Sequence, residues 1–212
     1  MHRARIGGTV FHDGADRHAW REALTAAVRD SGVTLHAYGL LPTEVRLLAT
    51  PADAGALARF MQSIGRRHVR SHNDRHEASG TPWEGRFRSC VVEAGRYLDC
   101  LRWVESDGQG GEAGMPDRDA SSAGHHLGLW TDTALADHPG FWRLGNTPFE
   151  REAAWRSFLA TGAGEAETAE IRRCVLHGWV LGSAAFVERL AAQTDRPTRP
   201  RPRGRPSLLR AG

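Results

Sequence analysis

The stretch VTLHAYGLL-PT-EVRLLAT, residues 33–50, decides the fold. Residues 33–41 read as a strand, Pro42 and Thr43 as a turn, and residues 44–50 alternate into a second strand, so the whole is a predicted β-hairpin. On its N-terminal side, residues 11–31 place Trp20, Leu24, Ala27 and Val28 at helical spacing, with Asp13 or Asp16 near the N-cap and Gly32 as the stop. On its C-terminal side, residues 52–76 carry Leu57, Phe60, Met61, Ile64 and Val69 on one face and arginines on the other, which predicts a long amphipathic helix. After a Gly-Thr-Pro turn, residues 83–93 read as a strand and residues 94–104 as a short helix. The predicted order is helix, strand, strand, helix, strand, helix.

Residues 106–128 are rich in Gly, Asp and Ser and lack an apolar period, so they read as a loop. Helical runs follow around residues 151–160, 166–177 and 183–192. The last segment, RPTRPRPRGRPSLLRAG, holds six arginines and no acid, and its Pro and Gly predict disorder until it meets a polyanion. The organisation is therefore a principal domain over 1–128, a helical extension over 129–194 and a basic tail over 195–212.

A chain of 212 residues with a 40% apolar share can bury one good core. It has no run of roughly 20 apolar residues, as a membrane span requires, and no signal-peptide block, so the expected address is the cytoplasm. Cys90, Cys100 and Cys174 are odd in number and form no C-x-x-C pair, which argues against a disulfide framework and a zinc ribbon and for reduced core thiols. All 28 basic residues are arginine. A GC-rich genome explains part of that bias, but the planar guanidinium also holds phosphate bidentately and stacks on bases, so the clustering points to nucleic acid more than the net charge of +3 does.

The strings HAYGLLPTEVRLLAT, ALARFMQSIGRRHVR and GTPWEGRFRSCVVEAGRYL resemble, in this order, the core of the REP-associated tyrosine transposases of the single-tyrosine HUH superfamily. The late segment EIRRCVLHGWVLGSAAFVERL and the PRPRGRP tail resemble the end of the longer members, so the likeness spans about residues 10–206. It implies an α+β fold: a ferredoxin-like antiparallel sheet with two helices on one face. It also implies DNA hairpin binding, single-strand cleavage and, often, a homodimer. The family's chemistry uses Mg2+ or Mn2+ on two histidines that share one face of a strand, and a helix-borne tyrosine that attacks phosphorus.

The chain departs from that pattern where the chemistry lies. The family's strand reads Pro-Asn-His-x-His-Leu-Leu; here Glu44 and Arg46 stand at the two metal-histidine positions. A carboxylate can still ligate a hard cation, but a guanidinium has only donors and repels the ion, so no metal is expected. The pair is expected to form a surface salt bridge, or Arg46 to grip the phosphate that the metal formerly polarised. Trp103 stands at the nucleophile position, and indole cannot attack phosphate. The nearest substitute, Tyr97, matches a structural tyrosine of the family; the only other tyrosine is Tyr38, on the hairpin. The family's first strand, with its His-His-Val-like pattern, is replaced by MHRARIGGTV, where residues 5–11 offer a short substitute.

The candidate DNA face is Arg66, Arg67 and Arg70 on the long helix with Arg86 and Arg88 on the following strand, opposed by the plainer reading of a solvated charged face. Trp83 and Phe87 are read as core packing before base stacking. His68, His72 and His76 are spaced by four, a poor chelating geometry on one helix, and are read as exposed or DNA-facing; His125 and His126, in the polar loop, are discounted likewise. Arg201, Arg203 and Arg205 resemble an AT-hook core that enters the minor groove. The functional expectation is a DNA-binding relic of the transposase family, catalytically inactive and needing no cofactor. Its alternatives are an active metal-dependent transposase with a rearranged site and a decayed product under no functional demand.

Overall fold

The computed structural model describes residues 1–106 and 116–200. Its order is β1 (His2–Arg3), α1 (Gly14–Ser31), β2 (Val33–Leu41), β3 (Glu44–Pro51), α2 (Ala56–His76), α3 (Tyr97–Glu105), α4 (Ala123–His126), α5 (Pro139–Trp142), α6 (Pro148–Ala160), α7 (Glu165–His177) and α8 (Ala184–Ala191), with a 3-10 turn at Ala94–Arg96. The fold is α+β.

Local chemistry sets α1 as expected. The Asp13 carboxylate accepts from the Asp16 N–H at 3.0 Å, and Gly32 ends the helix in the left-handed region at φ 71°. Trp20, Leu24 and Ala27 then fall on one buried stripe. The hairpin forms through the two-residue link Pro42–Thr43, with Leu41 opposite Glu44, and continues to Val33 opposite Pro51. A register shift between Leu35 and Ala37 makes His36 an extra residue on β2, where its ring takes Ala136 O and Thr50 Oγ1 at 2.7 and 2.8 Å.

The sheet order is β1-β3-β2, all antiparallel. The first strand is His2–Arg3, ahead of the predicted residues 5–11. The predicted strand at 83–93 does not form. Residues 82–88 run beside β1 through three backbone bonds, Arg5 N–H to Pro82 O, Glu84 N–H to Arg3 O and Arg88 N–H to Met1 O. Gly85, at φ +63°, turns the backbone out of extended geometry in the middle of that segment, so no continuous ladder builds.

Both faces of the sheet are covered, a correction to helices on one face. On one side α1 and α2 pack Trp20, Leu24, Phe60 and Ile64 against Leu35, Leu40 and Val45. On the other, Ala37 and Leu48 meet Leu101, Trp103 and Val104 of α3, in one core with Trp155 of α6, Ile171 of α7 and Leu181 of the segment between α7 and α8. Arg102 fastens α3 to α7 with two 2.8 Å bonds to Glu167, and Arg96 adds Glu170 at 2.9 Å. Helices α5, α6 and α7 thus share a core with α3. Residues 120–126, predicted as loop, are buried apart from the partly exposed His125, and the last four of them form α4. Among the described residues no helix is long and apolar enough to cross a membrane.

Gly39 decides how closely α3 approaches. It lies opposite Arg46 in the hairpin, and a Cβ there would sit well inside contact distance of the Val104 carbonyl oxygen, which is backbone and cannot swing away. Gly39→Ala is therefore expected to cost about 2 kcal/mol or more through overpacking, read as a lower urea midpoint with unchanged slope. An unshifted midpoint would mean that α3 rides less tightly on the sheet.

Candidate functional site

Glu44 and Arg46 leave β3 on the α3 side, and there they meet Trp103. Arg46 Nε donates to Glu44 Oε1 at 2.7 Å, its Nη1 donates to the Trp103 carbonyl at 2.7 Å, and its guanidinium lies 4.4 Å from the centre of the Trp103 ring. The Trp103 carbonyl belongs to the last turn of α3, the negative end of the helix, so the cation also sits favourably at a helix C-terminus. Arg172 of α7 completes the cluster, giving Nη2 to Glu44 Oε1 at 3.0 Å and Nη1 to Oε2 at 3.2 Å.

The pair is not on the surface. The side chains of Arg46 and Glu44 are only 2% and 6% exposed. Nor is Arg46 placed to grip a phosphate, because its donors are turned inward to Glu44 and to α3. Both Glu44 oxygens are engaged by guanidinium groups, Oε1 by Arg46 and Arg172 and Oε2 by Arg172. Arg172 was missed by sequence reasoning: in EIRRCVLH it reads as one more surface arginine, and only the partner it reaches sets it apart.

Neither tyrosine is set up to attack phosphorus. Tyr97 is buried with its ring stacked on His138 at 4.2 Å, and burial pushes its phenol well above the ordinary range. Tyr38 is fully buried and donates to Asp132 Oδ2 at 2.9 Å; burial and the Asp132 charge raise it too. The three thiols are free, and burial pushes Cys90 up to about 11, so it is a weak nucleophile.

The candidate DNA residues Arg66, Arg67, Arg70, Arg86 and Arg88 are all exposed. Arg70 has Asp74 at 3.8 Å, one turn along; among the described residues no carboxylate lies within ion-pair distance of the other four. Arg67 and Arg70 line a shallow groove with Ser71, Asp74 and Arg75. Arg75 also binds Asp13 at 2.6 Å and Asp16 at 2.8 Å and so ties the end of α2 to the start of α1. Arg201, Arg203 and Arg205 lie outside the described residues.

The histidines of α2 are not exposed. Ala56, Phe60, Ile64, His68 and His72 form one buried stripe, each one turn from the next. His68 packs on Trp83 at 5.2 Å and Phe11 at 5.7 Å, while His2 stacks on the other side of Trp83 at 4.2 Å. Trp83 is thus core, as read. Burial, reinforced by His72 alongside, pulls His68 down to about 4. His76 instead reaches Asp16 at 2.9 Å.

A second polar cluster lies behind α3, where sequence reasoning had placed only loop. Glu105, fully buried, accepts from Ser122 Oγ at 2.5 Å, from His126 Nδ1 at 2.7 Å and from Trp155 Nε1 at 3.2 Å. No family model matches this chain, and no curated protein or solved structure matches it.

Proposed function

We propose that this chain is a DNA-binding protein on the frame of the single-tyrosine HUH transposases, with the strand-cutting centre converted into a buried ion network. The observation that carries the reading is convergence. Glu44 and Arg46 on β3 stand at the family's metal-ligand positions and Trp103 on α3 at its nucleophile position, and Arg46 and Trp103, 57 residues apart, meet in one cluster. A chance likeness has no reason to bring those three positions together.

Further support comes from the frame. We read the sheet as ferredoxin-like, with residues 82–88 holding the edge beside β1 where that topology has its fourth strand, and β3 between β1 and β2. The arginines of α2 and of residues 86–88 supply exposed positive charge for a phosphate backbone. Unpaired cysteines fit a cytoplasmic setting.

The test is incubation of the purified chain with a labelled single-stranded DNA hairpin, with and without Mg2+ or Mn2+, scored for bound complex and for covalent adduct. Salt-sensitive binding that ignores the metal and leaves no adduct is expected. In Arg66→Ala/Arg67→Ala/Arg70→Ala, three lost phosphate contacts should reduce the slope of log affinity against log salt by about 2. A metal-dependent adduct would restore the transposase as an active enzyme and make Tyr97 the residue to replace. Absence of salt-sensitive binding would end the DNA-binding reading.

A further inference from the structure

His126 is 1% exposed, and the ring is held by one strong bond, Nδ1 to Glu105 Oε1 at 2.7 Å. A carboxylate on Nδ1 places the proton there and leaves Nε2 as the free coordinating nitrogen, the arrangement that orients metal-binding histidines. Nε2 is buried and has no hydrogen-bond partner. Facing it at 3.9 Å is Asp137 Oδ1, a second buried atom without a hydrogen-bond partner. The other carboxylate oxygen, Oδ2, is occupied by Trp142 Nε1 at 3.3 Å, so the carboxylate is oriented with Oδ1 inward. His125 Nε2 lies 3.5 Å from the same Oδ1, and one ligand atom from each of the three residues falls within 4.8 Å of the others.

We propose that His125, His126 and Asp137 form a site for one divalent transition metal of the zinc class, with the fourth position left to water. Zinc bonds of about 2.0–2.2 Å to nitrogen and oxygen set tetrahedral ligand atoms roughly 3.4 Å apart. The two separations to Asp137 Oδ1, 3.5 and 3.9 Å, are close to that, and the two histidine nitrogens lie within 4.8 Å of each other. Two imidazoles with one carboxylate favour zinc over magnesium, which prefers oxygen donors and keeps its water. Access is from the His125 and Asp137 side, where the side chains are 18% and 28% exposed, while His126 closes the inner wall. His125 Nδ1 accepts from the Asp132 N–H at 3.2 Å, so binding through Nε2 exchanges that long contact for a metal bond. The ion would join α4 to the residue ahead of α5 and, through Glu105, to the end of α3. This site shares no residue with the Glu44–Arg46 cluster and does not depend on DNA binding.

The test uses the full chain, stripped with a chelator and titrated with Zn2+ against a chromophoric competitor, then with Co2+ to read coordination from its visible absorption. One equivalent of Zn2+, a Co2+ spectrum of tetrahedral type and a raised unfolding midpoint are expected. Because His126 is a core residue, the partly exposed ligands are varied instead. Asp137→Asn and His125→Gln should each weaken binding on the order of 100-fold while leaving the metal-free midpoint in place, and the surface variant His177→Gln should bind like the parent. Substoichiometric binding by the parent, or parental affinity in either ligand variant, would overturn the proposal.

Discussion

Arg46→Ala should lower the unfolding free energy by about 3 kcal/mol, toward the lower end of what removing one partner of a buried ion pair costs. Two losses arise among the described residues. Glu44 stays buried and keeps its ion pair with Arg172, whose side chain is 39% exposed and shares its charge with solvent, and the Trp103 carbonyl loses the donor that reaches it from β3. Arg172 keeps the figure from rising to the 5 kcal/mol or so of a fully orphaned buried carboxylate. The double variant Glu44→Leu/Arg46→Met is expected to unfold within about 1 kcal/mol of the parent, since well-packed apolar side chains replace a buried pair at little net cost. Urea denaturation at constant pH measures both. A loss under about 1 kcal/mol in Arg46→Ala is what an exposed pair gives, and it would mean that the cluster opens to water in solution. DNA binding by the double variant adds a functional reading: if affinity holds, Glu44 and Arg46 serve the fold in place of the lost chemistry.

The parts of this architecture that were legible in the sequence rest on local rules. Asp13 and Gly32 bracket α1, the Pro42–Thr43 link fixes the hairpin, and the period of Trp20, Leu24 and Ala27 names a buried stripe. What was not legible depends on polar groups that find partners far along the chain. Residues 120–126 show no apolar period because their core is polar: Ser122 and His126 are buried against Glu105, and hydropathy scores all three as surface. Arg46 misleads in the same way, being a charge that binds Trp103 of α3 and a glutamate which Arg172 of α7 also reaches. The segment at 83–93 failed for the opposite reason. Its composition suits a strand, but its partner strand is two residues long and Gly85 turns the backbone midway. His68 and His72 were recoverable: counting back by fours leads to Ile64, Phe60 and Ala56, so the histidines continue an apolar stripe and belong inside.

That placement makes the fold acid-labile. His68 titrates near 4 in the folded chain and near 6.5 when unfolded, so between those values the unfolded chain binds more protons. Stability contributed by the neutral ring is complete above about pH 6.5, falls as pH drops through the window, and stops falling below about pH 4; the span corresponds to about 3 kcal/mol. His72, lowered by burial and by His76, adds to the same limb with the same sign. The lowered carboxyls of Asp13 and Asp16 act elsewhere, because their contribution is present above the unfolded carboxyl value and is lost as pH falls further. His68→Leu should therefore flatten the decline between about pH 6.5 and 4.5, leaving what His2, His36, His72 and His138, also lowered by burial, contribute. At pH 7 it should match or exceed the parent, since it also removes a buried ring nitrogen that has no hydrogen-bond partner. Urea unfolding curves across that range decide the matter. An undiminished acid limb in His68→Leu would place the titrating groups elsewhere and return His68 to a solvated face of α2.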